Sequence, residues 1–173
     1  RVTALASEYG LSPGTAYDIE TKDELGTPWD FDKPEQRNKC IKEILTQRPL
    51  FLIGSPMCSS FSRLQNLNWG RMDPEEVERV KSYGRKQFRF ACKLYSMQKE
   101  LNLYFLHEHP AGAKRWEEPC VTTLLKSIGV SKVVSDMCVY GMEQVDPEGR
   151  ALIKKPTAFM TNSPEIANRL SQR

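Results

Sequence analysis

Short apolar runs and helix-length amphipathic stretches alternate along the chain. Val2 to Tyr9 has the pattern of a short helix closed by Gly10, and Gly14 to Ile19 reads as a strand whose carboxyl end carries Asp18. A turn-rich segment, Lys22 to Pro34, follows. Glu35 to Gln47 is then expected to be helical, with Cys40, Ile41, Ile44 and Leu45 on one face. Leu50 to Ile53 is a continuous apolar run of the kind buried on both faces of a parallel sheet, and it ends in the loop Gly54-Ser55-Pro56. Asp73-Pro74-Glu75-Glu76 is a helix start: a capping Asp, a Pro in the first turn and acids at the positive end of the dipole. That helix is expected to reach Leu101, with Val77, Val80, Gly84, Phe88, Ala91 and Leu94 or Tyr95 inward. Leu103 to His107 is the next strand, ending in Glu108-His109-Pro110. Pro119 to Ser127 reads as a helix ended by Gly129, Lys132 to Tyr140 as a strand, and Ala151 to Thr161 as a further strand-like stretch that pairs as a hairpin. Such alternation predicts a three-layer α/β fold with a mostly parallel sheet.

Length and composition narrow the class without changing that picture. The chain has 173 residues, 39% apolar and 27% charged, and a chain of this size buries roughly 70% of its unfolded surface in one core. Residues 1–173 are therefore read as one domain. No apolar run approaches the ~20 residues of a membrane span, so no membrane partner is expected. The sequence opens on Arg1 rather than Met and shows no charged-then-apolar leader, so Arg1 is read as an internal residue. The five cysteines, at 40, 58, 92, 120 and 138, form no CxxC pair, which favours a reducing, intracellular compartment. His107 and His109 flank Glu108 without a cysteine pair nearby, so no metal site is expected and the rings are read as hydrogen-bonded pocket walls.

The net charge of +3 is mild but uneven. Between Arg63 and Lys99 nine basic residues face four acids. Taken singly most of these belong to a solvated helix face; together they are candidates for phosphate contacts.

In α/β sheets ligands bind at the carboxyl ends of the strands. The chemically informative residues fall there: Asp18 after the first apolar run, Gly54 to Cys58 after the second, Glu108 after the third. A cysteine in a Gly/Pro loop and a carboxylate after a neighbouring strand make a nucleophile and an acid partner.

Gly54-Ser55-Pro56-Met57-Cys58-Ser59-Ser60-Phe61-Ser62 resembles the catalytic loop of the C5-cytosine methyltransferases that use S-adenosylmethionine, with Gly54, Cys58, Phe61 and Ser62 in register and Met57 where that family has Pro. His107-Glu108-His109-Pro110 is similar to the family's strand ending in Glu-Asn, with His109 replacing Asn. Tyr17-Asp18-Ile19 and Trp29-Asp30-Phe31 are similar to its two cofactor motifs, and Tyr140-Gly141 to the Tyr-Gly ahead of its Q-x-R-x-R segment, whose place Lys154-Lys155-Pro156-Thr157 takes. The likeness is to compact domains of phage genes and retroelement polyproteins. It implies a Rossmann-like methyltransferase fold that lacks the Gly-rich cofactor loop and a target-recognition domain, and is truncated at both ends.

The resemblance implies a role for each residue. Cytosine C5 is a poor nucleophile, so the Cys58 thiolate adds to C6 and turns the ring into an enamine that attacks a sulfonium methyl. Glu108 holds N3 and the exocyclic amine and, in protonated form, offsets charge on the ring. Asp18, Ile19, Asp30, Phe31 and Pro56 would contact S-adenosylmethionine. Ser62, Arg63, Lys154 and Lys155 would contact a flipped or single-stranded nucleic acid, with DNA favoured over RNA, in the nucleus if the cell is eukaryotic. A protein partner would complete the truncated domain. The alternative is a catalytically degenerate module of the same fold used for protein binding or assembly. A thiol hydrolase pairing Cys58 with His107 or His109 explains fewer of these residues.

Overall fold

A computed structural model describes residues 2–57, 69–147 and 149–172. The chain divides into two compact units, Arg1–Pro49 and Leu50–Arg173. Among the described residues, no helix is long and apolar enough to cross a membrane.

The first unit begins with helix α1 (Val2–Leu5) and a 3-10 turn (Ala6–Tyr9). Gly10, at φ 69°, closes the turn by donating its N–H back to Ala6 and Ser7. The strand expected over Gly14 to Ile19 does not form. Among the described residues no strand forms there, and the pairing next to it is one bridge between Lys22 and Pro28. Its backbone is satisfied locally instead: Asp18 N–H donates to Thr21 Oγ1 (3.0 Å), and the Thr21 hydroxyl donates to Ala16 O (2.6 Å). A β-pattern without a partner has no ladder to join. What the run contributes is Tyr17, which packs edge-on against Trp29 with ring centroids 4.9 Å apart and donates its hydroxyl to Glu43 (3.2 Å). Helix α2 (Pro34–Gln47) buries Gln36, Cys40 and Ile44, while Leu45 is exposed. Burial pushes the Cys40 thiol up to about 12, with Glu43 adding to the effect; it is an inert core residue.

The second unit is built on a four-stranded sheet of β1 (Phe51–Gly54), β2 (Tyr104–Pro110), β3 (Ser131–Asp136) and β6 (Pro156–Thr161), in the order β1-β2-β6-β3. Only β1 and β2 pair in parallel; β6 is antiparallel to both its neighbours. The expectation of a mostly parallel sheet is therefore corrected: two of three pairings are antiparallel. The cause lies in the connections. The parallel pair is joined through the long helix α3 (Pro74–Glu100), the kind of crossover a parallel pair requires. Between Asp136 and Pro156 the chain has instead a 3-10 turn (Met137–Tyr140) and a hairpin of β4 (Glu143–Asp146) and β5 (Gly149–Leu152), so it returns in the opposite direction. The strand expected over Lys132 to Tyr140 ends at Asp136, and the run from Ala151 to Thr161 splits between β5 and β6. Helices α4 (Pro119–Leu125) and α5 (Pro164–Arg169) complete the unit.

The core lies on one face of the sheet. Phe105, Ala158 and Met160 point toward α3 and α4 and meet Phe88, Cys92, Tyr95, Trp116, Val121 and Leu124. In α3 the inward stripe is Gly84, Phe88, Cys92 and Tyr95 with Leu94, whereas Val77 and Val80 are only half-buried. The Asp73 side chain caps this helix, accepting from the N–H of Glu75 (2.8 Å) and Glu76 (3.4 Å). Asp73→Ala is expected to cost about 1 kcal/mol through the orphaned N–H groups. The midpoint of urea unfolding reads it, and an unchanged midpoint would remove the cap from the account.

Candidate functional site

The carboxyl edge of the β1/β2 pair positions the chemistry. Register matches Gly54 with His107, so the residues that leave β1, Ser55 and Pro56, stand beside Glu108. The Ser55 hydroxyl donates to Glu108 Oε2 at 2.6 Å, at the short end of O–H···O hydrogen bonds. Glu108 lies inside β2 rather than beyond it, because β6 extends the ladder through Glu108↔Phe159, His109↔Ala158 and Pro110↔Thr157. Ser55 is exposed, and Glu108 and Pro56 are half-buried. Cys58, Ser62 and Arg63 lie outside the described residues.

Gly54 has a packing reason to be glycine. A Cβ there would stand 1.9 Å from the Tyr95 hydroxyl and 2.9 Å from Cζ. Tyr95 reaches over the end of β1 from α3, and its hydroxyl is 3.1 Å from His107 Nδ1.

Strand alternation separates Glu108 from the histidines on either side of it. His107 and His109 turn to the helix face, each 1% exposed. Their rings stack at 5.7 Å and meet Phe88 (5.1 Å from His107) and Trp116 (5.3 Å from His107). Arg115, also 1% exposed, donates to Gly84 O (2.8 Å) with its guanidinium 4.6 Å from the centre of the Phe88 ring. Burial, reinforced by the neighbouring His109 and Arg115, pushes His107 down to about 3; burial and Arg115 push His109 down to about 4. Both rings are neutral at ordinary pH. They are core residues rather than walls of a pocket, and rings so buried and so weakly basic do not suit the base of a thiol hydrolase. Sequence reasoning missed both Ser55 as the partner of Glu108 and Tyr95 as the partner of Gly54; a hydroxyl next to the loop glycine was the available signal for the first.

Of the residues assigned to cofactor contact, Asp18, Ile19, Asp30 and Phe31 lie in the first unit and Pro56 in the second. The Asp18 carboxylate accepts from Glu20 N–H (2.9 Å) and that of Asp30 from Asp32 N–H (3.0 Å), both as Asx turns. Asp30 Oδ2 is also 3.9 Å from Lys33 Nζ. Ile19 is 58% exposed. Phe31 joins Tyr17 and Trp29 with centroids 6.4 Å from each. Trp29, 2% exposed, is the centre of that cluster.

Lys154 and Lys155 are exposed on the connection into β6. Because β6 is reversed, this connection lies at the same edge as the carboxyl ends of β1 and β2, and Ala111 N–H donates to Pro156 O (3.0 Å) there. Lys154 Nζ is 3.5 Å from Asp136 Oδ2, an exposed lysine against a buried carboxylate. On α3, Arg79 is paired with Glu76 and Arg85 with Glu78, so those two cations are engaged locally. The two units thus hold separate parts of the constellation: Asp18, Ile19, Asp30 and Phe31 in the first, Ser55, Pro56, Glu108, Lys154 and Lys155 in the second. No family model matches the chain, and no curated protein or solved structure was found to be similar to it.

Proposed function

We propose that the chain is a C5-cytosine methyltransferase-like domain that acts on nucleic acid, with Cys58 as nucleophile and Glu108 as acid. The observation that carries this reading is the 2.6 Å contact between Ser55 and Glu108 across the parallel pair. It holds the first residue of the loop that leads to Cys58 against the carboxyl group, as a thiol and an acid serving one ring require.

The donor set in the first unit fits S-adenosylmethionine in kind: Asp18 is an exposed acid for a ribose, next to an exposed apolar Ile19 for an adenine face. When bound, the cofactor supplies an electrophilic methyl on sulfur. Within the chain, Ser55 is a positioning residue whose hydroxyl fixes the orientation of the Glu108 carboxyl. Glu108 would grip cytosine N3 and the amine, and the Cys58 thiolate would form the bond to C6. Lys154 and Lys155 would meet phosphates at the same edge.

The degenerate, protein-binding reading is favoured by one observation, the use of Asp18 and Asp30 as turn acceptors within their own loops. Two measurements separate the readings. Calorimetric titration of the full-length protein with S-adenosylmethionine is expected to show binding. Single-stranded DNA, duplex DNA and RNA oligonucleotides carrying 5-fluorocytosine are expected to give a covalent adduct, strongest with DNA, that Cys58→Ala abolishes. Cofactor binding without any adduct would assign a degenerate site, and no cofactor binding would overturn the methyltransferase reading itself.

A further inference from the structure

A second pair of thiols lies away from the β1/β2 edge, between α3 and α4. Cys92 is 4% exposed and belongs to the core cluster; Cys120, in the first turn of α4, is half-buried and packs against that cluster. The two side chains line the same groove, Cys120 packed against the cluster that holds Cys92, within reach of a thiol–thiol hydrogen bond. Both line an open groove of about 410 Å3, a volume in the range that holds a small ligand. Its rim carries Arg89 and Lys93, both exposed, with Ser96, Thr123 and Ser127 as polar groups. Apolar filling accounts for Cys92 alone. It does not account for a second sulfur in contact with the first and open to a groove edged by two cations.

We propose that Cys92 and Cys120 form a dithiol site that a small anionic disulfide, of the glutathione disulfide type, oxidises to an intramolecular disulfide after docking against Arg89 and Lys93. Cys120 is the attacking group because it is the more exposed of the two thiols that line the groove. The Cys92 hydrogen bond holds the Cys120 thiol below the ordinary thiol range, helped by the backbone N–H groups of Val121 and Cys120 and opposed by burial and Glu118. In the first step Cys120 loses its proton to solvent and its sulfur bonds to one sulfur of the disulfide; the old S–S bond breaks and one glutathione leaves as thiolate. In the second, Cys92 gives up its proton to the departing group and bonds to Cys120 Sγ, releasing the second glutathione. Two protein thiols are oxidised and one disulfide is reduced to two thiols.

The test exposes the whole chain to glutathione disulfide, quenches with an alkylating reagent and maps the peptides by mass. A Cys92–Cys120 linked peptide lacking two hydrogens is expected, with Cys40 alkylated. Cys92→Ser should instead accumulate glutathione on Cys120. Arg89→Glu with Lys93→Glu should slow Cys120 oxidation by glutathione disulfide about tenfold at low salt but leave its oxidation by uncharged 2-hydroxyethyl disulfide unchanged. A natively folded chain that gives no linked peptide would overturn the proposal. So would equal slowing of both oxidants in the charge-reversed variant, which removes the docking role.

Discussion

Gly54→Ala is expected to destabilise the second unit by about 3 kcal/mol, the upper range for an added methyl in a filled site that also breaks a buried hydrogen bond. The new Cβ would fall 1.9 Å from the Tyr95 hydroxyl, well inside any tolerable contact. Tyr95 has nowhere to retreat: it is 1% exposed, its ring stacks on Phe105 at 5.0 Å, and its hydroxyl is shared with His107. Either α3 lifts from the end of β1 or the phenol swings out and leaves His107 Nδ1 buried without its partner. Gly54 does not have the positive φ that would penalise alanine by itself, so the backbone contributes little and the measurement isolates the contact. Urea unfolding at neutral pH reads the loss. Tyr95→Phe removes the oxygen nearest the new methyl, so the double variant should be more stable than the two single losses add up to, by about 1 kcal/mol. A Gly54→Ala chain within about 0.5 kcal/mol of the parent would reject the close-packed edge.

That edge shows which parts of the fold the sequence made legible. Helix α3 was readable to within a residue at each end because its start is written in local chemistry, Asp73-Pro74-Glu75, and its cap is formed by those atoms. The same grammar stands at Ser163-Pro164-Glu165, where the Ser163 hydroxyl accepts from Ile166 N–H; α5 went unread because six residues give too little periodicity to notice. Strand direction was not legible. Whether β6 runs with or against β2 depends on what the chain does between Asp136 and Pro156, and a short apolar run reads alike in either direction. Gly14 to Ile19 failed for a related reason, since a strand needs a neighbour and local composition cannot supply one.

The site divides along similar lines. Glu108 beside the Gly54 loop was readable because both follow apolar runs that pair in register. The hydroxyl of Ser55 was not, since its contact with Glu108 spans 53 positions of sequence. His107 and His109 invited a chemical reading from their residue type, but alternation along β2 sends them to the opposite face from Glu108. Asp18 and Asp30 kept both meanings: their turn contacts are local and visible, and any ligand contact is not written in the chain's own bonds.

Acid should unfold the second unit early. An unfolded histidine binds its proton at a pKa of about 6.5, whereas His107 and His109 in the folded unit do so only at about 3 and about 4. The folded values are depressed, so the stabilisation is fully present above the unfolded pKa and is lost as pH falls through the window toward the folded values. There the unfolded chain holds up to two more protons than the folded one, and each ring contributes a slope of about 1.4 kcal/mol per pH unit. Between pH 7 and pH 5 the two together should remove about 4 kcal/mol, a large share of a domain's total stability. Asp23 and Glu24, held below the usual carboxylate range by Lys39, and Glu76, held there by Arg79, give up their contributions only at more acid pH. Urea midpoints at pH 7, 6 and 5 measure the slope, and His109→Asn should roughly halve it. Imidazole resonances titrating near 6.5 in the folded chain would sink the account. Because the rings face the core and Glu108 faces away from it, loss of any activity on the acid side of neutrality should follow the unfolding curve rather than the titration of a histidine at the site.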